Sequence, residues 1–436
     1  MKVSVLGLGK LGLPLLATCA SRGFLSYGYD INKEILSKLG KSITESKETS
    51  LALLIKKFKK NIITSENITD AVLNSDITFI VTPTPSKKNG SFSNKYIFDV
   101  VEKIARVLRV KSKYHLVVIV STIMPNSTNQ ARKILEKNSG KRCGKDFGLC
   151  YNPEFIALGS VVENLLNPDF VLIGQSDKKS GDILEQFYLK FCNNRPKIMR
   201  MNFVNAELTK ISLNTYVTTK ISYANMLTEI CEKLPEGDVD VITNALGLDS
   251  RIGTKYLKGG PSFGGPCFPR DNLAFIYLAR KLKSNFQLPL ATHKTNLQQT
   301  DRLVKIIMQY SANSKIGILG LSYKPFTDVI EESFGLILAK KLLQQKKIVN
   351  VHDPVALENV EKVFKDQVKY FNNIKECIEE SEVVVISCNW PQYKAVDKFF
   401  KSKAKKILID PWRMINPKSL SSSVIYVPVG QNINYQ

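Results

Sequence analysis

The chain has 436 residues, more than one hydrophobic core usually fills, so two or three domains are expected. A hydrophobic content of 44% and a charged content of 23% are ordinary for a globular protein, and no low-complexity stretch argues for disorder. Sixty-two basic against thirty-nine acidic side chains give a net charge of +23, which invites a nucleic-acid partner, but the lysines are dispersed and no nucleic-acid-binding motif accompanies them. The runs Lys56–Lys60 and Lys401–Lys406 read as solvated faces, and an anionic, phosphate-bearing small molecule suits the charge equally well.

In chain order, the first elements are a strand (Val3 to Leu6), a glycine turn (Gly7 to Gly12), a helix to about Arg22 and a strand from Leu25 to Asp30, a βαβ unit. The apolar run from Leu11 to Ala20 is that helix rather than a signal peptide. Strands at Ile77–Val81, Leu116–Val120 and Phe170–Ile173 extend a mainly parallel sheet, with His115 an ordinary strand residue, and a first domain runs over 1–200. Residues 203–234 contain no Gly or Pro and predict one long helix, with Leu208, Ile211, Tyr216, Ile221, Met226 and Ile230 at helical spacing. This opens an all-helical segment, 201–300, suited to subunit contacts. A second α/β pattern begins at Ile316, with a helix near Ser333–Leu343 and strands at Ile348–Val351, Val383–Ser387 and Ile407–Ile409, and fills 301–436. The fold class is therefore α/β, with two Rossmann-like doubly wound domains joined by a central long-helix domain. The second sheet lacks the full glycine fingerprint and is expected to hold a different ligand from the first. No apolar stretch approaches the roughly 18 residues of a membrane span, so a soluble protein is expected.

The motif Gly7-Leu-Gly-Lys-Leu-Gly12 is a GxGxxG between a strand and a helix, where glycines permit a tight turn and the helix N-terminus meets a pyrophosphate. Asp30 ends the next strand, placed to bind a ribose 2′-hydroxyl and repel a 2′-phosphate, so NAD is expected over NADP. Gly264-Gly-Pro-Cys267-Phe-Pro-Arg-Asp271 reads as a glycine loop entering a helix, where a thiol gains thiolate character. The bland alternative is a small cysteine in a turn, and the two preceding glycines argue for close approach of a ligand. Lys210, Asn214 and Thr218 share one face of the long helix. Such polar spacing is usually solvated, but on an otherwise apolar helix it suits a cleft in which Lys210 stabilises an alkoxide. Thr82-Pro-Thr-Pro85 and Ser121-Thr122 each follow a buried strand and Tyr151-Asn-Pro-Glu-Phe155 another short apolar run, either as turn chemistry or as ligand-binding ends of the sheet. Eight cysteines without a CxxC pair point to reduced thiols in a cytoplasm, and the separation of His115, His293 and His352 gives no metal pattern.

Together these motifs, with Glu163–Gly174, Ala206–Asn214, Arg251-Ile-Gly253 and Leu319–Lys324, resemble the UDP-glucose/GDP-mannose dehydrogenase family over essentially the whole chain, and its UDP-glucose 6-dehydrogenase branch most closely. The resemblance implies a four-electron oxidation of a sugar C6 alcohol, consuming two NAD, through a thiohemiacetal and thioester on Cys267. It implies that Lys210 and Asn214 stabilise oxyanions, and that Asp271, Glu154 and Thr122 handle protons and the hydrolytic water. Lys210 is further expected to offset the charge that Asp271 places near the thiol. The cofactor would be bound by Gly7, Gly9, Lys10, Leu11, Gly12, Asp30, Thr82 and Thr122. The substrate would meet Glu154, Phe155, Ile156, Ala157, Leu158, Lys210, Asn214, Phe263, Gly264 and Lys324, with Arg251 reaching a partner subunit's site and Arg413 lining the nucleotide pocket. The second Rossmann-like domain would bind the nucleotide diphosphate and the long helix would form the core of a homodimer or higher homo-oligomer, in a cytoplasmic enzyme making a uronic acid for surface polysaccharide, with neither nucleic acid nor membrane as partner.

Four positions depart from the family pattern: Pro266 for Ser, Arg270 for Lys, Phe170 for Arg, and Glu331 where an Arg meets the cofactor phosphates. They leave a GDP-mannose or UDP-N-acetylhexosamine dehydrogenase, or a non-catalytic nucleotide-sugar scaffold, as alternatives.

Overall fold

Short aliphatic runs bounded by turn residues form the strands. The computed structural model describes residues 1–310, 315–400 and 404–432, and packing divides the chain into two units, Met1–Ser212 and Leu213–Gln436. The first carries β1 (Lys2–Leu6), β2 (Leu25–Tyr29), β3 (Ile62–Thr64), β4 (Ile77–Ile80), β5 (Leu116–Ile119), β6 (Gly148–Tyr151), β7 (Phe170–Gln175) and β8 (Lys197–Met201). They form one eight-stranded sheet in the order β3-β2-β1-β4-β5-β6-β7-β8, parallel except for the β6/β7 pair. Every residue of β4 and β5 is buried, as expected of strands covered on both faces. Alternate side chains enter two cores: Val3, Val5 and Phe79 in one, Leu6, Ile80 and Ile119 in the other. Strand order reverses between β1 and β4, which opens a crevice at their carboxyl ends. His115 is a structural residue whose ring nitrogens lie 2.8 Å from Thr78 Oγ1 and 3.1 Å from the Ser75 carbonyl. Its burial holds the pKa down at about 3, so the ring is neutral.

The second unit carries β9 (Lys315–Leu319), β10 (Ile348–His352), β11 (Lys369–Tyr370), β12 (Val383–Ile386), β13 (Lys406–Asp410) and β14 (Val424–Pro428), in the order β11-β10-β9-β12-β13-β14. This repeats the order of the first six strands. The repetition reaches the turns. Asp30 Oδ2 accepts from Leu8 N at 2.6 Å in the first sheet, and Asp353 Oδ2 from Leu321 N at 2.7 Å in the second. Gly7 and Gly320 both have positive φ, 97° and 102°. A Cβ on Gly12 would overlap the Gly7 carbonyl, and one on Gly335 the Gly320 carbonyl. The second sheet thus keeps the outer two glycines of the fingerprint, separated by an excursion over 321–334 that hides them from a fixed-spacing motif. A buried lysine recurs too. Lys111 Nζ donates to the Val72, Leu73 and Ser75 carbonyls at 2.5, 3.1 and 2.5 Å. Lys406 Nζ does so to those of Ile378, Glu379 and Ser381 at 2.9, 3.0 and 2.6 Å. Each neutralises the carbonyl end of a helix. The expectation that Lys401–Lys406 is a solvated face therefore fails at Lys406, while 401–403 lie outside the described residues; Lys56, Lys57, Lys59 and Lys60 are exposed.

The long helix spans Phe203–Cys231, and the boundary between the units falls within it. Its amphipathicity is inverted. Glu207, Lys210, Asn214, Thr218, Ser222, Asn225 and Thr228 are buried, whereas Tyr216, Tyr223, Met226 and Ile230 are exposed. Of the six apolar positions read from its periodicity, Ile211 alone is fully buried. Among the described residues no helix is long and apolar enough to cross a membrane.

Candidate active site

In the first unit the glycine turn leaves β1 at the crevice. A Cβ on Gly7 would press on the Val81 carbonyl, whereas one on Gly9 meets nothing within 4 Å. Gly7 and Gly12 therefore serve the fold, and Gly9 leaves the open cradle into which a pyrophosphate fits. Lys10 is exposed and Leu11 partly so at the mouth of the turn. Asp30 Oδ1 also accepts from Asn32 N at 2.8 Å, so this carboxylate shapes the turn on both of its sides. Thr82, Thr122 and Glu154 follow the parallel neighbours β4, β5 and β6 and so leave the same end of the sheet. Ser121 Oγ donates to the Thr82 carbonyl at 2.6 Å, and Thr84 Oγ1 to the Thr122 carbonyl at 2.8 Å, tying two of these loops together. Thr82 Oγ1 is buried with no hydrogen-bond partner among the described residues. An open cradle beside an unsatisfied hydroxyl fits a dinucleotide.

Lys210 is buried, and its Nζ donates to the Glu154 carbonyl at 2.6 Å and lies 4.5 Å from the centroid of Phe155. Burial pushes the Glu154 carboxyl up to about 7, against the opposing effect of the Lys210 charge. A group poised there exchanges protons near neutral pH. The following segment is held from below: Glu48 accepts from Gly159 N at 2.8 Å and Val161 N at 2.6 Å, and Asn164 from Ala157 N at 2.9 Å. Ile156 and Leu158 pack on the core while Ala157 is exposed. Glu207, one turn before Lys210, accepts from Asn126 N at 2.5 Å and Thr128 N at 2.7 Å, fixing the loop after Thr122. Glu48 and Glu207 were missed because a lone acid carries no sequence signal of what it caps.

In the second unit Cys267 is the N-cap of the helix Phe268–Lys281, with Pro269 in its first turn. It is exposed; six of the other seven cysteines are buried and Cys143 is partly so. The helix N-terminus favours the thiolate. Asp271, buried in the first turn, accepts from Asn214 Nδ2 at 2.6 Å. Within this unit Arg270 lies 3.6 Å from the Asp271 carboxylate. The two glycines before Cys267 are required by the fold itself. A Cβ on Gly264 would overlap the Glu332 carbonyl, and Gly265, at φ +85°, faces the Tyr323 ring and donates to the Glu331 carbonyl at 3.0 Å. The protein's own excursion after β9 claims that space. Three buried amides clamp the preceding segment: Asn225 accepts from Gly260 N at 2.8 Å, Gln299 donates to the Gly260 carbonyl at 2.5 Å, and Asn296 pairs with both Phe263 N (2.8 Å) and its carbonyl (2.9 Å). Buried amides at helical spacing were the missed signal.

Not every expected binding residue is available. Arg413 was expected to line a nucleotide pocket, but all five of its N–H donors are engaged. Nε and Nη2 hold Asp240 at 2.7 and 2.9 Å, Nη1 the carbonyls of Pro411 and Val429, and Nη2 that of Gly259. A guanidinium with no spare donor is a brace, not a phosphate ligand. Arg413→Ala is expected to cost about 2–3 kcal/mol in chemical denaturation, less than a fully buried pair because Asp240 keeps 29% side-chain exposure; unchanged stability would return it to ligand binding. Arg251 is paired with Asp249 at 2.6 Å and its side chain is 87% exposed, so it is presented to solvent. Lys324 is partly buried on the excursion after β9.

Three family models cover the chain in succession: the UDP-glucose/GDP-mannose dehydrogenase NAD binding domain over 1–192, its central domain over 204–298 and its UDP binding domain over 317–417. The chain belongs to the UDP-glucose/GDP-mannose dehydrogenase family. It is 30% identical to a UDP-glucose 6-dehydrogenase of Rickettsia bellii over 99% of this chain and 100% of that one. It is 29% identical to the UDP-glucose 6-dehydrogenase AglM of Haloferax volcanii over 95% and 97% of the two chains. Its fold matches a UDP-glucose dehydrogenase from Pyrobaculum islandicum with a TM-score of 0.90 and 30% identity, covering 99% and 98%. It is thus an NAD-dependent oxidoreductase.

Three of the four departures from the family pattern have a place in the structure. Phe170 packs 4.8 Å from Phe155 between ring centroids, backing the ring over which Lys210 sits. Glu331 is exposed and contributes its backbone carbonyl to the cysteine loop. Arg270 retains the positive charge of the lysine it replaces, beside Asp271. Pro266 lacks an N–H, and nothing in the structure explains why this residue is chosen there.

Proposed function

We propose that this dehydrogenase oxidises the C6 alcohol of a UDP-hexose, UDP-glucose first, to a carboxylate in two steps through a covalent intermediate on Cys267. The observation that carries this reading is the exposed thiol at a helix N-terminus, one turn from the buried Asn214–Asp271 pair. The relatives named above, which are UDP-glucose 6-dehydrogenases, support the donor.

NAD, when bound, accepts the hydride in each oxidation; Gly7, Gly9, Lys10, Leu11, Gly12, Asp30, Thr82 and Thr122 would hold it. In the first step the alcohol loses a hydride from carbon and a proton from oxygen, and Lys210 and Asn214 stabilise the alkoxide that precedes the aldehyde. The Cys267 sulfur then adds to the aldehyde carbon, giving a thiohemiacetal. Loss of a second hydride and the hydroxyl proton leaves a thioester, and water, deprotonated by a carboxylate, cleaves it to the acid and the free thiol. Glu154, with a pKa of about 7, serves as that base above neutrality and as a proton donor below it. Asp271 and Thr122 orient the water and the thiol. Phe155, Ile156, Ala157, Leu158, Phe263, Gly264 and Lys324 line the substrate side, and Arg251 serves a partner subunit. The exposed apolar stripe of the long helix, Tyr216, Tyr223, Met226 and Ile230, supports a homodimer around the central segment 201–300, between a cofactor domain (1–200) and a nucleotide-sugar domain (301–436), in a cytoplasmic enzyme.

The test is NADH formation against UDP-glucose, GDP-mannose and the UDP-N-acetylhexosamines. UDP-glucose is expected to give the highest kcat/KM; a higher value with another sugar reassigns the donor, and tight binding of a sugar without turnover restores the scaffold.

A further inference from the structure

Tyr188 bridges two groups but has one proton. Its buried hydroxyl lies 2.5 Å from Asn152 Oδ1 and 3.0 Å from Glu154 Oε1. The Asn152 carboxamide is oriented by its other end, since Nδ2 donates to the Leu172 carbonyl at 2.9 Å. A carbonyl cannot donate, so a flipped amide would set two acceptors against each other. Oδ1 must therefore face Tyr188, and as a pure acceptor it takes the phenol proton. What remains towards Glu154 is a lone pair of the phenol oxygen, and two oxygens 3.0 Å apart need a proton between them.

We propose that Tyr188 is a positioning residue that holds Glu154 in its acid form, through a one-way hydrogen-bond chain running from Glu154 to Tyr188, Asn152 and the Leu172 carbonyl. The chain ends at a backbone acceptor, so it stores the proton on Oε1 rather than conducting it away. Oε2 has no hydrogen-bond partner among the described residues and is the oxygen left to exchange protons with water or a bound substrate. The other groups facing Glu154 in this unit do not supply a competing donor to Oε1. The Lys210 ammonium bonds the Glu154 backbone carbonyl, and the thiols of Cys19 and Cys192 are pushed up by burial and then by the Glu154 charge, and so stay neutral. The Arg22 charge acts on Cys192 in the opposite sense, and its guanidinium bonds the Lys190 carbonyl. Burial likewise keeps the Tyr188 phenol protonated. Loss of the lone-pair acceptor should favour the carboxylate, whereas loss of a donating hydroxyl would favour the acid, so the sign of the change distinguishes the two arrangements.

This inference rests on reading Glu154 as the proton-exchanging group, and its test separates the two. The protonated Glu154 C=O stretch, assigned by difference infrared spectroscopy against Glu154→Gln, is titrated in the purified full chain whether or not Glu154 takes part in turnover. In Tyr188→Phe the midpoint is expected to fall by about 0.5–1 in pH, the worth of one neutral hydrogen bond; an unchanged or raised midpoint overturns the proposal. In Asn152→Leu the phenol is free to turn and donate to the carboxylate, so the midpoint falls there too; no movement overturns it. Should either variant fail to fold, the other decides, and the wild-type stretch must sit at the frequency of a hydrogen-bond-donating acid, a free-acid frequency being contradictory. A fall in the infrared midpoint without movement of the kcat–pH profile would sustain the chain and remove Glu154 from catalysis.

Discussion

Cys267→Ser is expected to lower steady-state turnover by at least about 10³-fold while leaving the thermal unfolding curve in place. The hydroxyl of serine ionises far less readily than a thiol, so a helix N-terminus that favours the thiolate does not generate a comparable nucleophile from it. The exposed thiol makes no contribution to the hydrophobic cores, so stability should change by less than about 0.5 kcal/mol. Any sugar that reaches the aldehyde stage and is captured should accumulate as an oxygen ester visible by intact-protein mass spectrometry, because esters of an alcohol hydrolyse more slowly than thioesters. Turnover within a few-fold of wild type would refute covalent catalysis by this residue.

Lys210→Met should have the next largest effect, a loss of about 10²–10³-fold in kcat. Methionine keeps most of the stem volume, so packing is nearly conserved, and the fold loses the hydrogen bond to the Glu154 carbonyl, about 1–2 kcal/mol. Two losses act on chemistry: the cation proposed to meet the alkoxide, and the positive charge beside Glu154. Because that charge holds the Glu154 pKa down against burial, its removal moves the acid limb of the kcat–pH profile to higher pH. Below the limb Glu154 is protonated and cannot act as base, so the variant should lose proportionally more activity at pH 6 than at pH 8. A variant with normal kcat, or with its limb displaced to lower pH, would contradict the role assigned to Lys210.

Sequence patterns revealed the features that depend on short, uninterrupted spacing. Gly7–Gly12 with Asp30, the entry of Cys267 into a helix, and the single helix through Lys210 and Asn214 were all legible because each rests on backbone geometry within one element. What was hidden depends on contacts between distant segments. Gly320 and Gly335 repeat the roles of Gly7 and Gly12, but the excursion between them breaks the fixed interval a motif requires. The glycines before Cys267 suggest room for a ligand in the sequence alone, and only the fold shows that they also admit Tyr323 and the backbone of 331–333. Arg413 looks like an anion ligand in isolation, and only the positions of Asp240, Gly259, Pro411 and Val429 reveal that its donors are spent. The long helix shows the limit of periodicity most clearly: its spacing predicts a helix whichever face is buried, and here the polar face is the inner one.

A four-electron oxidation through Cys267 is read out by counting the NADH formed when a limiting amount of UDP-glucose is consumed to completion. Two NADH per sugar are expected, with no aldehyde trapped by hydroxylamine during turnover. One NADH per sugar with free aldehyde released would contradict it.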